Sequence, residues 1–80
     1  MEIKNKKSDY KVSIIGAGYI GSVLAAVLAE NGASVSAIDI NKNIIDLINN
    51  GVSPIEEPGL EDLIAKNVSE KRLEGTTDIS

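Results

Sequence analysis

Five residues, Lys11-Val12-Ser13-Ile14-Ile15, run directly into Gly16-Ala17-Gly18-Tyr19-Ile20-Gly21 and then into an alanine-rich stretch. The first run is short and rich in β-branched residues, as strands are. The last is a good helix former. A strand, a glycine-rich turn and a helix in that order leave few arrangements open: the chain must leave a sheet, turn sharply and lay a helix back across it. Each glycine has its own reason. Gly16 lets the backbone leave the strand in a tight turn. Gly18 has no Cβ, so a phosphate can approach the main chain, and an unfavourable φ is a second reason for glycine there. Gly21 lets the helix lie close to the strand. The start of that helix offers unpaired N–H groups and the positive end of a dipole, where phosphates are expected to sit.

The glycine spacing alone is a weak signal, because loops use glycine for many reasons. Its context strengthens it. Gly21, Ala25 and Ala29 recur every four residues and form a ridge of small side chains suited to close packing on a sheet. Gly32 stands where a helix should close. Asp39 ends the next strand-like run, Ser34 to Ile38, and lies 21 residues beyond Gly18. An acid there should accept hydrogen bonds from the ribose hydroxyls of an adenine dinucleotide. Its charge would repel a 2′-phosphate, so NAD rather than NADP is the expected cofactor. The candidate cofactor-binding residues are Gly16, Ala17, Gly18, Tyr19, Ile20, Gly21 and Asp39, with Tyr19 acting through its backbone N–H. The competing reading is a βαβ turn that holds no ligand, with Asp39 a strand-end turn residue.

Composition narrows the chemistry. The 80 residues carry a formal net charge of −4 and no dense basic patch, so nucleic acid is not an expected partner. With no cysteine and no histidine, the chain has no thiolate nucleophile, no disulfide and no Cys/His zinc site. No apolar run is long enough for a membrane helix, and the N-terminus has no apolar signal core. Cytoplasmic residence is the expectation. Residues 1–10 read as a polar lead-in, and residues 11–80 as a partial dinucleotide-binding domain.

In order, Lys11–Ile15 reads as a first strand buried on both faces. Ile20 to Asn31 reads as a helix, and Ser34 to Ile38 as a second strand. Asn41 suits the N-cap of a helix from Lys42 to Asn49 whose apolar stripe is Ile44, Ile45 and Ile48. Pro58 fits the first position of a third helix, with Glu56 and Glu57 near its positive end. Leu60, Leu63, Ile64 and Val68 form that helix's stripe. Leu73 to Thr77 reads as a third strand. The fold class is therefore α/β, the first half of a Rossmann-like parallel sheet, in the order β-α-β-α-α-β with right-handed crossovers.

One stretch goes beyond this general pattern. Asn50-Gly51, then Ser53-Pro54-Ile55-Glu56-Glu57-Pro58-Gly59-Leu60-Glu61-Asp62-Leu63, taken with the glycine turn and Asp39-Ile40, resembles the N-terminus of the UDP-glucose/GDP-mannose dehydrogenases, the nucleotide-sugar dehydrogenases. The resemblance covers about Lys11 to Asp78, and the Glu-Pro-Gly-Leu element is its most specific part. Two positions depart from the family pattern. Glu56 stands where members often have an aromatic, and Ile44 stands where they often have a basic residue, although Lys42 lies nearby. The resemblance implies an NAD-dependent enzyme that oxidises the C6 alcohol of a UDP- or GDP-sugar to a carboxylate, reducing two NAD in turn through a cysteine thioester. It implies polysaccharide biosynthesis and a homo-oligomer. No catalytic residue of that chemistry falls in this chain.

Three functions stay open on the sequence: the NAD-binding start of such an enzyme, a stand-alone nucleotide-binding or interaction module, and another Rossmann oxidoreductase. Glu-Pro-Gly-Leu argues against the third. Glu57 reads either as a helix-capping acid beside Pro58 or as a residue that orients a loop near the active site. Lys42 reads as a solvated helix-start lysine. An 80-residue chain buries a limited fraction of its surface, so marginal stability, or self-association through the first strand, is expected.

Overall fold

A computed structural model describes residues 10–78, so most of the polar lead-in lies outside the described residues. The elements follow the order β1 (Lys11–Ile15), α1 (Tyr19–Glu30), β2 (Ser34–Ile38), α2 (Lys42–Asn49), α3 (Leu60–Ser69) and β3 (Leu73–Thr76). The three strands are parallel in the order β1-β2-β3. Register pairs Ile15 with Ile38 and Ile38 with Thr76, so the strands end level with one another. Asp39 follows at once, and its N–H donates to the Thr76 carbonyl at 3.1 Å.

The core is small-grained. Ala17, Ala25, Ala26, Ala29 and Ala37 are nearly or fully inaccessible, beside Val35, Ile45, Ile48, Leu60, Ile64 and Leu73. Alanines on α1 bring that helix down onto the sheet, as the four-residue spacing requires. The prediction for β1 was wrong. Among the described residues it is an edge strand, with Lys11, Ser13 and Ile15 exposed and Val12 and Ile14 half-buried. Helices cover one face of this part of the sheet, so the strand alternates. The opposite edge is treated differently: the Asn49 side chain accepts from the Gly75 N–H (2.8 Å) and donates to the Gly75 carbonyl (3.0 Å), occupying both backbone groups.

The start of α3 also differs from expectation. Pro58 is not its first residue. Glu57 to Leu60 form a turn in which the Leu60 N–H donates to the Glu57 carbonyl at 3.0 Å and Gly59 has φ 83°, ψ −14°. This is a type II turn, with proline and glycine at the positions that type favours. Glu61 and Asp62, rather than Glu56 and Glu57, are the acids of the first helical turn.

All three helices finish alike. In each, the second residue past the cap donates back five residues and the first donates back three, the Schellman arrangement. The pairs are Ala33 to Leu28 with Gly32 to Ala29, Val52 to Leu47 with Gly51 to Ile48, and Arg72 to Asn67 with Lys71 to Val68. Gly32 and Gly51 take the left-handed position with φ 104° and 76°, whereas α3 uses Lys71 at φ 63°. The ends of α1 and α3 are further tied by polar groups. Asn67 is fully buried and donates to Glu30 and to the Leu63 carbonyl, while its oxygen accepts from Arg72 Nε. Lys66 pairs with Glu30 at 2.9 Å. Hydrogen bonds from Lys66 and Asn67 hold the Glu30 carboxyl below its ordinary pKa.

Candidate cofactor site

The three glycines of the turn are glycine for three different reasons. Gly16 has φ 87°, a left-handed conformation that turns the chain out of β1, and its N–H extends the ladder by donating to the Ile38 carbonyl at 2.7 Å. Gly21 is forced by packing: a Cβ there would stand 2.0 Å from the Gly16 carbonyl oxygen and 3.3 Å from an Ile14 methyl. Gly18 answers to neither demand. Its φ is −69° (ψ −111°), outside the left-handed region, so the φ reason is not borne out, and a Cβ would meet no protein atom within 4 Å. The ground above it is open.

Gly18 is the N-cap of α1, and no side chain caps it. No acid lies in the first turn of α1. The other two helix starts differ: Asn41 caps α2, and α3 carries Glu61 and Asp62. The N–H groups at the start of α1 therefore face no protein carboxylate in that turn, and the positive end of the helix is uncompensated. Ala17 is completely buried beneath the turn, Tyr19 opens the helix one residue earlier than expected, and Ile20 is exposed. Ser22, which the motif does not single out, is buried with its hydroxyl directed at the Ala17 and Gly18 carbonyls, 2.6 Å from the latter. It pins the turn to the helix. A lone polar residue four after Gly18, within an apolar helix, was the signal for it.

Asp39 stands beside this turn because the β1–β2 register carries it one residue past the Ile15–Ile38 pair. It is half-buried, and one carboxylate oxygen accepts from the Asn41 N–H at 2.8 Å. The structure thus brings Gly16 to Gly21 and Asp39 together at the carboxyl ends of the strands, where ligands bind in open α/β sheets. Lys42 is exposed and paired with Asp46 at 2.8 Å. Glu56 and Glu57 are exposed in the loop before α3. A shallow depression of about 460 Å³ lies at the other end of the strands, against Lys11, Ser34 and Lys71. It contains none of the residues of the turn. Among the described residues no acidic group is arranged to hold a metal ion, and no helix is long and apolar enough to cross a membrane.

Three glycines with separate causes, a bare helix start and an adjacent acid fit an adenine dinucleotide: a cradle that a Cβ at Gly18 would fill, N–H donors for a pyrophosphate, and an acceptor for a ribose. Comparison with known proteins agrees. The model of the UDP-glucose/GDP-mannose dehydrogenase family, NAD binding domain, matches residues 10–80. The chain belongs to this family. GDP-mannose 6-dehydrogenase of Pseudomonas savastanoi pv. phaseolicola is 51% identical over 70 residues, covering 88% of this chain and 16% of that protein. UDP-glucose 6-dehydrogenase of Bacillus subtilis is 48% identical over 69 residues, covering 86% of this chain and 15% of its own length. The crystal structure of a ternary complex of GDP-mannose dehydrogenase from Pseudomonas aeruginosa superposes with a TM-score of 0.82 at 49% identity, over 84% of this chain and 15% of that one. A UDP-glucose dehydrogenase from the archaeon Pyrobaculum islandicum gives 0.83 at 29% identity, over 98% of this chain and 18% of that one. The chain thus spans about one-sixth of the length of these family members, and the part it spans matches their NAD-binding domain.

Proposed function

We propose that the chain supplies the adenosine and pyrophosphate half of the NAD site of a nucleotide-sugar 6-dehydrogenase. Backbone N–H groups of the segment Gly16, Ala17, Gly18, Tyr19, Ile20 and Gly21 hold the pyrophosphate, and Asp39 accepts the ribose 2′- and 3′-hydroxyls. When bound, NAD supplies a hydride acceptor. This chain's own residues bind and orient it, and the cysteine that the family's thioester chemistry requires is not among them. The substrate is a UDP- or GDP-sugar, consistent with the names of the family members, and the product is the uronic acid. Such a role belongs to polysaccharide biosynthesis in the cytoplasm, within a homo-oligomer. On this reading residues 11–80 are one portion of the NAD-binding domain.

The observation that carries the proposal is Gly18. A Cβ there would meet no protein atom within 4 Å, so the space above the turn is free for a phosphate to approach the main chain. Titration of the ¹⁵N-labelled chain, followed by NMR, tests this. NAD should shift the amides of Gly16 to Gly21 and Asp39, and should bind more tightly than NADP. Gly18→Val should weaken NAD at least roughly tenfold, because its side chain fills the pyrophosphate's approach, while far-UV circular dichroism stays near native. Undiminished affinity in that variant would place the phosphates elsewhere.

A further inference from the structure

We propose that Asn41 is the positioning residue for the Asp39 carboxylate, an inference that rests on the NAD reading above. The backbone of Asp39 is fixed by its bond to Thr76. Its side chain is fixed by one bond, Asn41 N–H to Oδ1 at 2.8 Å, and makes no other hydrogen bond among the described residues. The second oxygen is therefore held in one direction, open to solvent. A diol gains most from an acceptor already oriented, because ordering that acceptor on binding subtracts from affinity.

What fixes the Asn41 N–H is Asn41 itself. Its backbone is extended, with φ −81° and ψ 103°. It is held there because its side-chain oxygen accepts from Asn43 N–H at 2.9 Å and Ile44 N–H at 3.4 Å, while its carbonyl accepts from Ile45 N–H at 3.2 Å. The same residue thus caps α2 with its side chain and orients Asp39 with its main chain. Ile44 and Ile45 pack the inner face of that turn against the core, but no side chain other than that of Asn41 caps it. α2 has eight residues, too few for a helix to persist alone. Its first turn contains no acid and opens with Lys42, a cation at the positive end. Lys42 is drawn away to Asp46. Without the Asn41 side chain the first turn frays, the N–H loses its direction and the carboxylate turns freely.

The test compares the unmutated 80-residue chain with Asn41→Ala, Asn41→Ser, Asp39→Ala and the double variant Asp39→Ala/Asn41→Ala, each titrated with NAD and with NADP by NMR. Asn41→Ala should weaken NAD roughly fivefold, the equivalent of one lost cap, and NADP by less, so the preference between the cofactors narrows. Serine also caps helices, so Asn41→Ser should bind NAD within about twofold of the unmutated chain. In the Asp39→Ala background, Asn41→Ala should have no further effect, since the group it positions is gone. If Asn41→Ala fails to fold, Asn41→Gly, a milder change at an N-cap, should weaken NAD by roughly twofold, NADP by less, and have no further effect in the Asp39→Ala background. The proposal is overturned if Asn41→Ala leaves NAD affinity unchanged, weakens NAD and NADP by one common factor, or weakens NAD equally with and without Asp39. If Asp39→Ala binds NAD normally, or the unmutated chain shows no NAD-dependent shifts, the underlying cofactor reading falls instead. Those outcomes are told apart because they do not involve Asn41.

Discussion

Where the helices end, all three close on Schellman bonds, and a fully satisfied set of side chains joins Glu30, Lys66, Asn67 and Arg72. Where they begin, the ends of the strands stand beside a bare helix start, an open approach to Gly18 and a carboxylate with one engaged oxygen. The first end spends its polar groups on the protein, and the second keeps them available. A small domain has few interactions to place, and here the cohesive ones are concentrated away from the ligand. Side chains at the first end should therefore govern stability with little effect on binding, while at the second end the two properties should separate residue by residue.

Gly21→Ala should do the most damage and is the sharpest exception to that division. Its Cβ would lie 2.0 Å from a backbone oxygen, so the start of α1 must move off β1. We expect a loss of about 3 kcal/mol in urea unfolding, with NAD affinity falling as well because the turn moves. A variant as stable as the unmutated chain would mean the contact is relieved by a harmless shift. Asn67→Ala belongs to the other end. It should lose about 2 kcal/mol, since it strips partners from Glu30 and Arg72 and removes a buried amide. NAD affinity should stay within roughly twofold once the fraction folded is accounted for. A larger loss would show that the two ends are coupled. The smallest effect is Lys71→Gly, which should stabilise by about 1 kcal/mol, because the left-handed position disfavours a residue with a Cβ. A destabilised Lys71→Gly would mean that the lysine side chain contributes more than its backbone conformation removes.

Much of this was readable in the sequence, and the misreadings have identifiable causes. β1, β2 and α2 fall on the residues that their composition and periodicity mark, and Asn41 caps α2 as its position suggests. Gly16 and Gly21 serve the purposes their spacing implies. Pro58 was misread because two rules compete for a proline before a helix. Followed by glycine, it fits a type II turn better than a helix start, and the turn prevails. β1 was expected to be buried on both faces, but burial depends on what covers a strand and not on its own residues. Asn67 and Asn49 were missed since their partners lie in other segments, which a sequence does not locate, whereas Ser22 bonds within its own turn and its spacing from Gly18 was the signal. Lys71 had no signal at all: a left-handed lysine looks like any other lysine in a polar loop.

The carboxamide of Asn49 has a consequence for how the sheet can be extended. By occupying the Gly75 N–H and carbonyl together, it imitates one peptide unit of a neighbouring strand. At that point β3 has nothing left to offer a further strand, whereas among the described residues no strand pairs with the outer edge of β1. The sheet is thus directional, like a tile with one plain and one grooved edge. A strand added at β1 can be accommodated, and one added at Gly75 must first displace an amide already in place. Growth from both edges is the requirement for an endless ribbon of sheets, and one side chain on α2 removes it.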